Sequence, residues 1–155
     1  MIGACLMARA ATINQIGLLD EGFFFFLEET DWCRRARQAG WKVVCEPRAR
    51  ALHLQGASAG TVRPQARIEY WISRRRYFRK HRGRTACTLL ACGLLLRLGC
   101  NLAANTAARL VSPPAQLKAR VSAHLLRWLL AGAPATGWGL RPTPAQTPAN
   151  PPGAA

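Results

Sequence analysis

The sequence holds 155 residues, half of them apolar, with 22 Lys and Arg against seven Asp and Glu and a formal charge of +15. That is enough chain for one domain with its own core. Six cysteines with no CxxC pair and no His at zinc-ligand spacing exclude a zinc finger and, at this size and composition, a disulfide framework; they read as reduced apolar filler.

In chain order, Met1 to Met7 reads as an apolar strand or strand edge. Residues 8–16 predict a short helix with Ile13 and Ile16 on one side, stopped by Gly17. A loop from Leu18 to Gly22 leads into Phe23-Phe24-Phe25-Phe26-Leu27. Such an unbroken apolar run predicts a short strand buried on both faces, in a sheet covered by helices. Glu28-Glu29-Thr30-Asp31-Trp32-Cys33-Arg34-Arg35 then opens a helix, with Thr30 or Glu29 capping it and Gly40 stopping it. Two carboxylates at the tip of a buried strand, beside a helix N-terminus, stand where open α/β sheets place ligands. The same acids also complement the helix dipole and pair with Arg34 and Arg35 at helical spacing. Trp41 to Cys45 predicts another strand, with Trp41, Val43 and Cys45 on one face. Pro47 ends it, and Arg50 to Leu54 reads as a further short strand carrying His53, before a loop from Gly56 to Pro64.

The composition then changes. All seven acids lie at or before Glu69, so the first 69 residues set nine cations against seven anions, while the rest carries thirteen cations and no acid. A uniformly cationic half implies an anionic partner, either phospholipid head groups or nucleic acid. Residues 63–84 predict a basic aromatic helix, with Tyr70, Trp71, Tyr77 and Phe78 among Arg74, Arg75, Arg76, Arg79, Lys80, Arg82 and Arg84. Residues 85–111 are strongly apolar, with Arg97, Asn101, Asn105 and Arg109 gathered into one slowly drifting helical stripe. The longest uncharged run, Thr85 to Leu96, is shorter than the roughly 20 residues that span a bilayer. An amphipathic helix lying in the membrane interface is expected instead. Ser112-Pro113-Pro114 breaks it, and Ala115 to Ala131 forms a second amphipathic segment that sets Leu117, Val121, Leu125 and Trp128 against Lys118, Arg120 and Arg127. Residues 132–155, rich in Pro and Ala, read as a disordered tail.

The wording of the first region is specific. Gly3-Ala4-Cys5, Gly17-Leu18-Leu19-Asp20-Glu21, Phe23-Phe24, Glu28 to Arg35, Ala39-Gly40-Trp41, Pro47-Arg48-Ala49-Arg50, His53 and Ser58 follow one another at family spacing. On these pieces the segment from Gly3 to Ser58 resembles the C-terminal half of the catalytic domain of family 2 glycosyltransferases, the rhamnosyltransferase-like bacterial branch in particular. The resemblance implies an α/β fold, an incomplete GT-A-like sheet-and-helix half over residues 1–62, followed by the basic helix at 63–84, membrane-interface helices at 85–131 and the tail at 132–155.

It also implies an inverting transfer from a nucleotide sugar to a cell-envelope glycan or a lipid-linked acceptor. Such a transfer needs a carboxylate to take the acceptor hydroxyl proton, and positive charge to stabilise the leaving nucleotide diphosphate. By the resemblance Glu29 is the base, where many relatives carry Asp, and Glu28 orients the substrate or the base. Asp31 and Arg35 serve substrate binding or form a structural i,i+4 pair; Trp32 and Trp41 stack on a sugar or pack in the core. His53 matches the family's His near the donor diphosphate, where some relatives place it on a Mg or Mn ion, and otherwise reads as a core histidine. His81 and His124, in the later helices, read as without a special role.

No Asp-x-Asp motif occurs in the sequence, and the nucleotide-binding half that precedes this segment in the family does not precede Gly3. A truncated product with little catalysis alone is therefore expected, placed at the cytoplasmic face of a bacterial membrane, since the N-terminal residues show no secretory signal pattern. The alternative is a non-catalytic basic module that binds an anionic membrane surface or nucleic acid. The Leu-rich faces favour lipid, and no helix-turn-helix or zinc-finger pattern supports nucleic acid.

Overall fold

The computed structural model of the chain describes residues 5–53, 63–108 and 113–141. Its regular elements are four helices, α1 (Ala10–Ile16), α2 (Glu28–Gln38), α3 (Arg63–Ala108) and α4 (Pro113–Leu130). Among the described residues there is no strand, and this overturns the expected α/β, incomplete GT-A-like sheet-and-helix half. A strand is held by ladder hydrogen bonds to a neighbour, and among the described residues none of the expected strands acquires one.

The phenylalanine run shows what takes the place of a sheet. Phe26 and Leu27 adopt left-handed backbone, with φ of 69° and 68°, and turn the chain directly into α2. The aromatic rings then serve separate contacts. Phe23 is buried beneath the cationic groups of Arg76 and Lys80, 5.4 and 5.9 Å from its ring centre. Phe26 meets Tyr70 edge-on at 5.7 Å. Residues 41–45 and 50–53 likewise have no regular structure. Trp41 and Val43 still pack against α2, but Cys45 is exposed. Residues 5–7 are exposed and irregular, and the rest of the expected first strand, with Leu54 and the loop after it, lies outside the described residues.

The local signals for helix ends are realised. Gly17 closes α1 through its N–H to the Ile13 carbonyl at 2.8 Å. Gly40, with φ of 88°, ends α2 in a Schellman arrangement, Trp41 N–H on the Ala36 carbonyl and Gly40 N–H on that of Arg37. The start of α2 differs from expectation. Its N-cap is Leu27 in the left-handed region, with no side-chain cap from Thr30 or Glu29.

The helix α3 runs for 46 residues but breaks at Gly83, whose φ of 83° and ψ of −176° are not helical. The Sγ of Cys87 lies 3.5 Å from the carbonyl oxygen of Arg75. A straight helix would separate positions twelve apart by about 18 Å, so the two arms fold back on each other at Gly83. This fold-back brings Ile68 and Trp71 of the first arm together with Leu94 and Leu98 of the second and Leu125 and Trp128 of α4, in one buried cluster. Gly132 ends α4 with a second Schellman arrangement. Residues 132–141 then return across the bundle. Trp138 packs on the cluster, the Pro134 carbonyl accepts the Trp128 indole N–H at 2.9 Å, and Arg141 donates to the Gly22 carbonyl at 3.0 Å.

A smaller core of Trp32, Cys33 and Ala36 holds α1, Trp41 and Val43 to α2. The two cores are joined by polar and aromatic contacts: the Ser73 hydroxyl donates to the Phe25 carbonyl at 2.7 Å, and Arg34 to the Tyr77 hydroxyl at 3.4 Å.

Candidate functional site

The acids singled out in the sequence occupy the first turn of α2, where the free N–H groups and the helix dipole favour negative charge. The left-handed residues Phe26 and Leu27 immediately before them cost about 1–3 kcal/mol each when not glycine, and such strain concentrates at functional sites. One carboxylate oxygen of Glu28, Oε2, is buried and has no hydrogen-bond partner among the described residues. Glu29 accepts a hydrogen bond from the Thr30 hydroxyl at 3.4 Å.

Thr30 leads into a groove of about 630 Å³ along α2, lined also by Cys33, Arg34, Arg37, Gln38 and Tyr77. The volume lies in the range of small-molecule sites. The Nε of Arg34 is buried there without a partner among the described residues, although its Nη1 bonds Tyr77. Burial, and after it the charge of Glu29, push the Cys33 thiol above its ordinary value. Glu29 is therefore felt electrostatically within the groove.

Asp31 turns inward instead. Its side chain is fully buried and meets two cationic groups, Arg35 and Lys80, each at 2.9 Å, and the His81 ring at 2.7 Å through Nε2. Burial alone would raise its carboxyl; hydrogen bonds from Lys80, Arg35 and His81 overcome that and lower it. Lys80 also pairs with Asp20 at 2.7 Å, and Arg76 bonds the other Asp20 oxygen at 2.9 Å. The bond from Lys80, the largest cause, and those from Gly22 and Arg76 drive the Asp20 carboxyl far below the usual carboxylate range. Arg35 further donates to the carbonyls of Ile16 and Leu18. Asp31 and Arg35 thus form a joint between α1, α2 and α3.

Trp32 is buried and donates its indole N–H to the Gly17 carbonyl at 2.9 Å. Trp41 donates to Gln15 at 2.7 Å and packs against the small core. Trp32 is thus packed within the small core, whereas Trp41 is half-buried at its edge. His53 is exposed on an irregular segment, and among the described residues no three His, Cys, Asp or Glu side chains converge on one point.

The basic run divides into two groups. Arg74 lies over the Trp71 ring at 5.1 Å, Arg75 donates to the Ala133 carbonyl at 3.0 Å, and Arg76 and Lys80 hold the acids just described. Arg79, Arg82 and Arg84 are exposed. The role of His81 escaped the sequence reading. Its partner Asp31 is 50 positions away, and only its i,i+4 spacing from Tyr77, whose ring it meets at 4.7 Å, hinted at a packed rather than a solvated face.

Comparison with known proteins adds a partial likeness. No family model matches the chain. No solved structure matches it either. Two curated proteins are similar over 58 residues at 38% identity. Both are named N-acetylglucosaminyl-diphospho-decaprenol L-rhamnosyltransferase, from Mycobacterium tuberculosis strains CDC 1551 / Oshkosh and ATCC 25618 / H37Rv. The match covers 37% of this chain and 19% of each relative. The chain therefore spans less than a fifth of the relatives it matches, and the likeness supports a glycosyltransferase-like relationship at that coarse level.

Proposed function

We propose that the α1–α2 region is a glycosyltransferase-derived acceptor unit in which Glu29 is the general base and the groove along α2 receives the acceptor. The observation that carries this reading is the Glu28-Glu29 pair on a strained helix start next to a groove whose Cys33 feels the charge of Glu29, in a chain that is partly similar to rhamnosyltransferases. Glu29 takes the proton of an acceptor hydroxyl as the anomeric carbon is attacked. Glu28, with its unpartnered buried oxygen, orders the base or the sugar, and Arg34 and Arg37 meet acceptor oxygens. By analogy with the relatives, the acceptor is a lipid-linked N-acetylglucosaminyl diphosphate and the donor a nucleotide-activated deoxyhexose.

No Asp-x-Asp pair occurs in these 155 residues, so donor binding is assigned to residues outside them, and the chain alone turns over little. The Mg or Mn ion of the family resemblance is poorly accommodated here. His53 is exposed, and among the described residues no three His, Cys, Asp or Glu side chains gather to hold an ion.

Membrane placement belongs to the same reading. The helix α3 contains an 18-residue stretch apolar enough to cross a membrane, of which only 11% is buried, and Leu89 and Leu96 are exposed. With Leu94 and Leu98 committed to the core and Arg97 exposed on the same arm, we place this arm in the interface of an anionic membrane, at its cytoplasmic face. This is favoured over nucleic acid, which has no use for a wide apolar face.

The test uses membranes from cells producing the chain together with a donor-binding glycosyltransferase half, supplied with nucleotide-activated L-rhamnose and polyprenyl-diphospho-N-acetylglucosamine. Chain-dependent transfer should fall about 100-fold or more in Glu29→Gln, the scale of a lost general base, with acceptor binding unchanged. Undiminished transfer removes Glu29 from the role. Acceptor binding that is indifferent to Arg34→Ala removes the groove.

A further inference from the structure

The fold-back at Gly83 leaves a second cavity beside the basic helix. Its volume is about 450 Å³, and five arginines face it: Arg75, Arg76 and Arg79 from the first arm of α3, Arg84 from the second, and Arg141 from the segment after α4. Such a gathering of like charge is self-repulsive unless anions neutralise it. The fold supplies few. Arg76 has Asp20, and Arg75 has a neutral carbonyl. Arg79 and Arg84 are exposed, with no ion pair among the described residues.

Arg141 reaches Glu69 only at 3.7 Å, and its Nε is buried with no hydrogen-bond partner among the described residues. Burial pushes the Glu69 carboxyl up, against the charge of Arg141, which lowers it. The surplus is thus about three guanidinium charges around one concave site. Backbone geometry contributes as well. A Cβ on Gly22 would fall 1.8 Å from the Arg76 guanidinium carbon, so glycine lets that group lie against the loop. Planar guanidinium forks brought together from three segments match the geometry of phosphate oxygens, which they bind bidentately.

We propose that this cavity is a binding site for a diphosphate group. The site lies at the bend where the apolar arm of α3 begins, so a carrier lipid could present its diphosphate there from a bilayer, and a free nucleoside diphosphate carries the same chemistry. The inference does not depend on Glu29 or on any transfer reaction, since it concerns binding alone.

The experiment is calorimetric titration of the full chain with inorganic pyrophosphate, compared with inorganic phosphate. Saturable binding is expected, tighter for pyrophosphate. Arg79→Gln and Arg84→Gln each weaken it by about tenfold, the scale of a lost charged hydrogen bond. Arg82→Gln, on the same arm but not facing the cavity, stays within about twofold of the parent. None of the three positions has an ion pair among the described residues, so thermal melts should coincide and folding does not confound the comparison. Absence of pyrophosphate binding, or an equal loss in Arg82→Gln, overturns the proposal. Two further arms distinguish the source. Tighter binding to neutral vesicles carrying a polyprenyl diphosphate than to uridine diphosphate assigns a carrier lipid. The reverse order assigns a soluble nucleotide.

Discussion

The two halves of the chain solve the problem of burial differently. Residues 63–141 build a three-layered helical core through one fold-back and one further helix, with Ile68 and Trp128 fully buried. Residues 5–53 bury only Trp32, Cys33 and Ala36 in their own cluster, too little apolar surface for independent stability. They rely on charge instead: Asp20 and Asp31 dock onto Arg76, Lys80 and His81 of α3. The basic helix is therefore both a cationic surface and the counter-charge for the acidic half. Segregated charge in a sequence signals an external anion only after the internal anions have been subtracted.

The largest effect that would break this comparison is loss of the apolar half. Trp128→Ala removes a side chain with no exposure and is expected to cost about 3–5 kcal/mol, read by denaturant unfolding. Next comes the joint. Asp31→Asn leaves Lys80, Arg35 and His81 without their shared anion and should cost about 3 kcal/mol. Limited proteolysis should then cut within residues 5–53 first, with the α3–α4 bundle intact; simultaneous cleavage of both halves would mean that the joint is not where they separate.

The pH dependence sharpens the same point. Asp20 and Asp31 have lowered carboxyls in the folded chain, so the unfolded chain binds their protons first. Their contribution is complete above the ordinary carboxylate value of about 3.9 and is lost as pH falls through the folded values below it. Lys80 is shifted the opposite way. Burial would lower it, but hydrogen bonds to Asp20 and Asp31 raise it overall. Its contribution is present below about 10.4 and is lost as pH rises through the folded value above that. Thermal melts from pH 2 to 7 should show the acid loss in the parent and a much smaller one in Asp20→Asn/Asp31→Asn.

The smallest effect expected is at the bend. Gly83→Ala puts a Cβ on backbone with φ of 83° and ψ of −176°, a combination essentially confined to glycine, at a cost of about 1–3 kcal/mol, and should lower the melting temperature by a few degrees. An unchanged melt would mean that the fold-back does not need glycine.

Much of the helical plan was legible in the sequence because helix ends are written locally. Gly17, Gly40 and Gly132 each stop a helix through hydrogen bonds spanning five residues or fewer, and the Asp31–Arg35 pair lies within one turn. The helix behind the Glu28-Glu29 pair was legible for the same reason, but its start was not: the pair was expected at a strand tip with Thr30 or Glu29 as the cap, whereas both acids stand inside the first turn behind Leu27. The phenylalanine run was misread as a strand because five apolar residues carry no period of their own. Whether they extend or turn depends on what lies beside them, and here that neighbour is a helix offering Tyr70, Ser73, Arg76 and Lys80 rather than another strand.

Composition and spacing thus determined five helical segments, two of which join as α3, the glycine stops of α1 and α2, and the charge contrast between the halves. Tertiary structure alone decided the fold-back at Gly83, the pairing of Asp31 with His81 across 50 positions, and the convergence of Arg141 with Arg75, Arg79 and Arg84. The physical reason is range. A capping bond is chosen by residues a turn apart, whereas a buried ion network or a cavity exists only once hydrophobic packing has brought distant segments together.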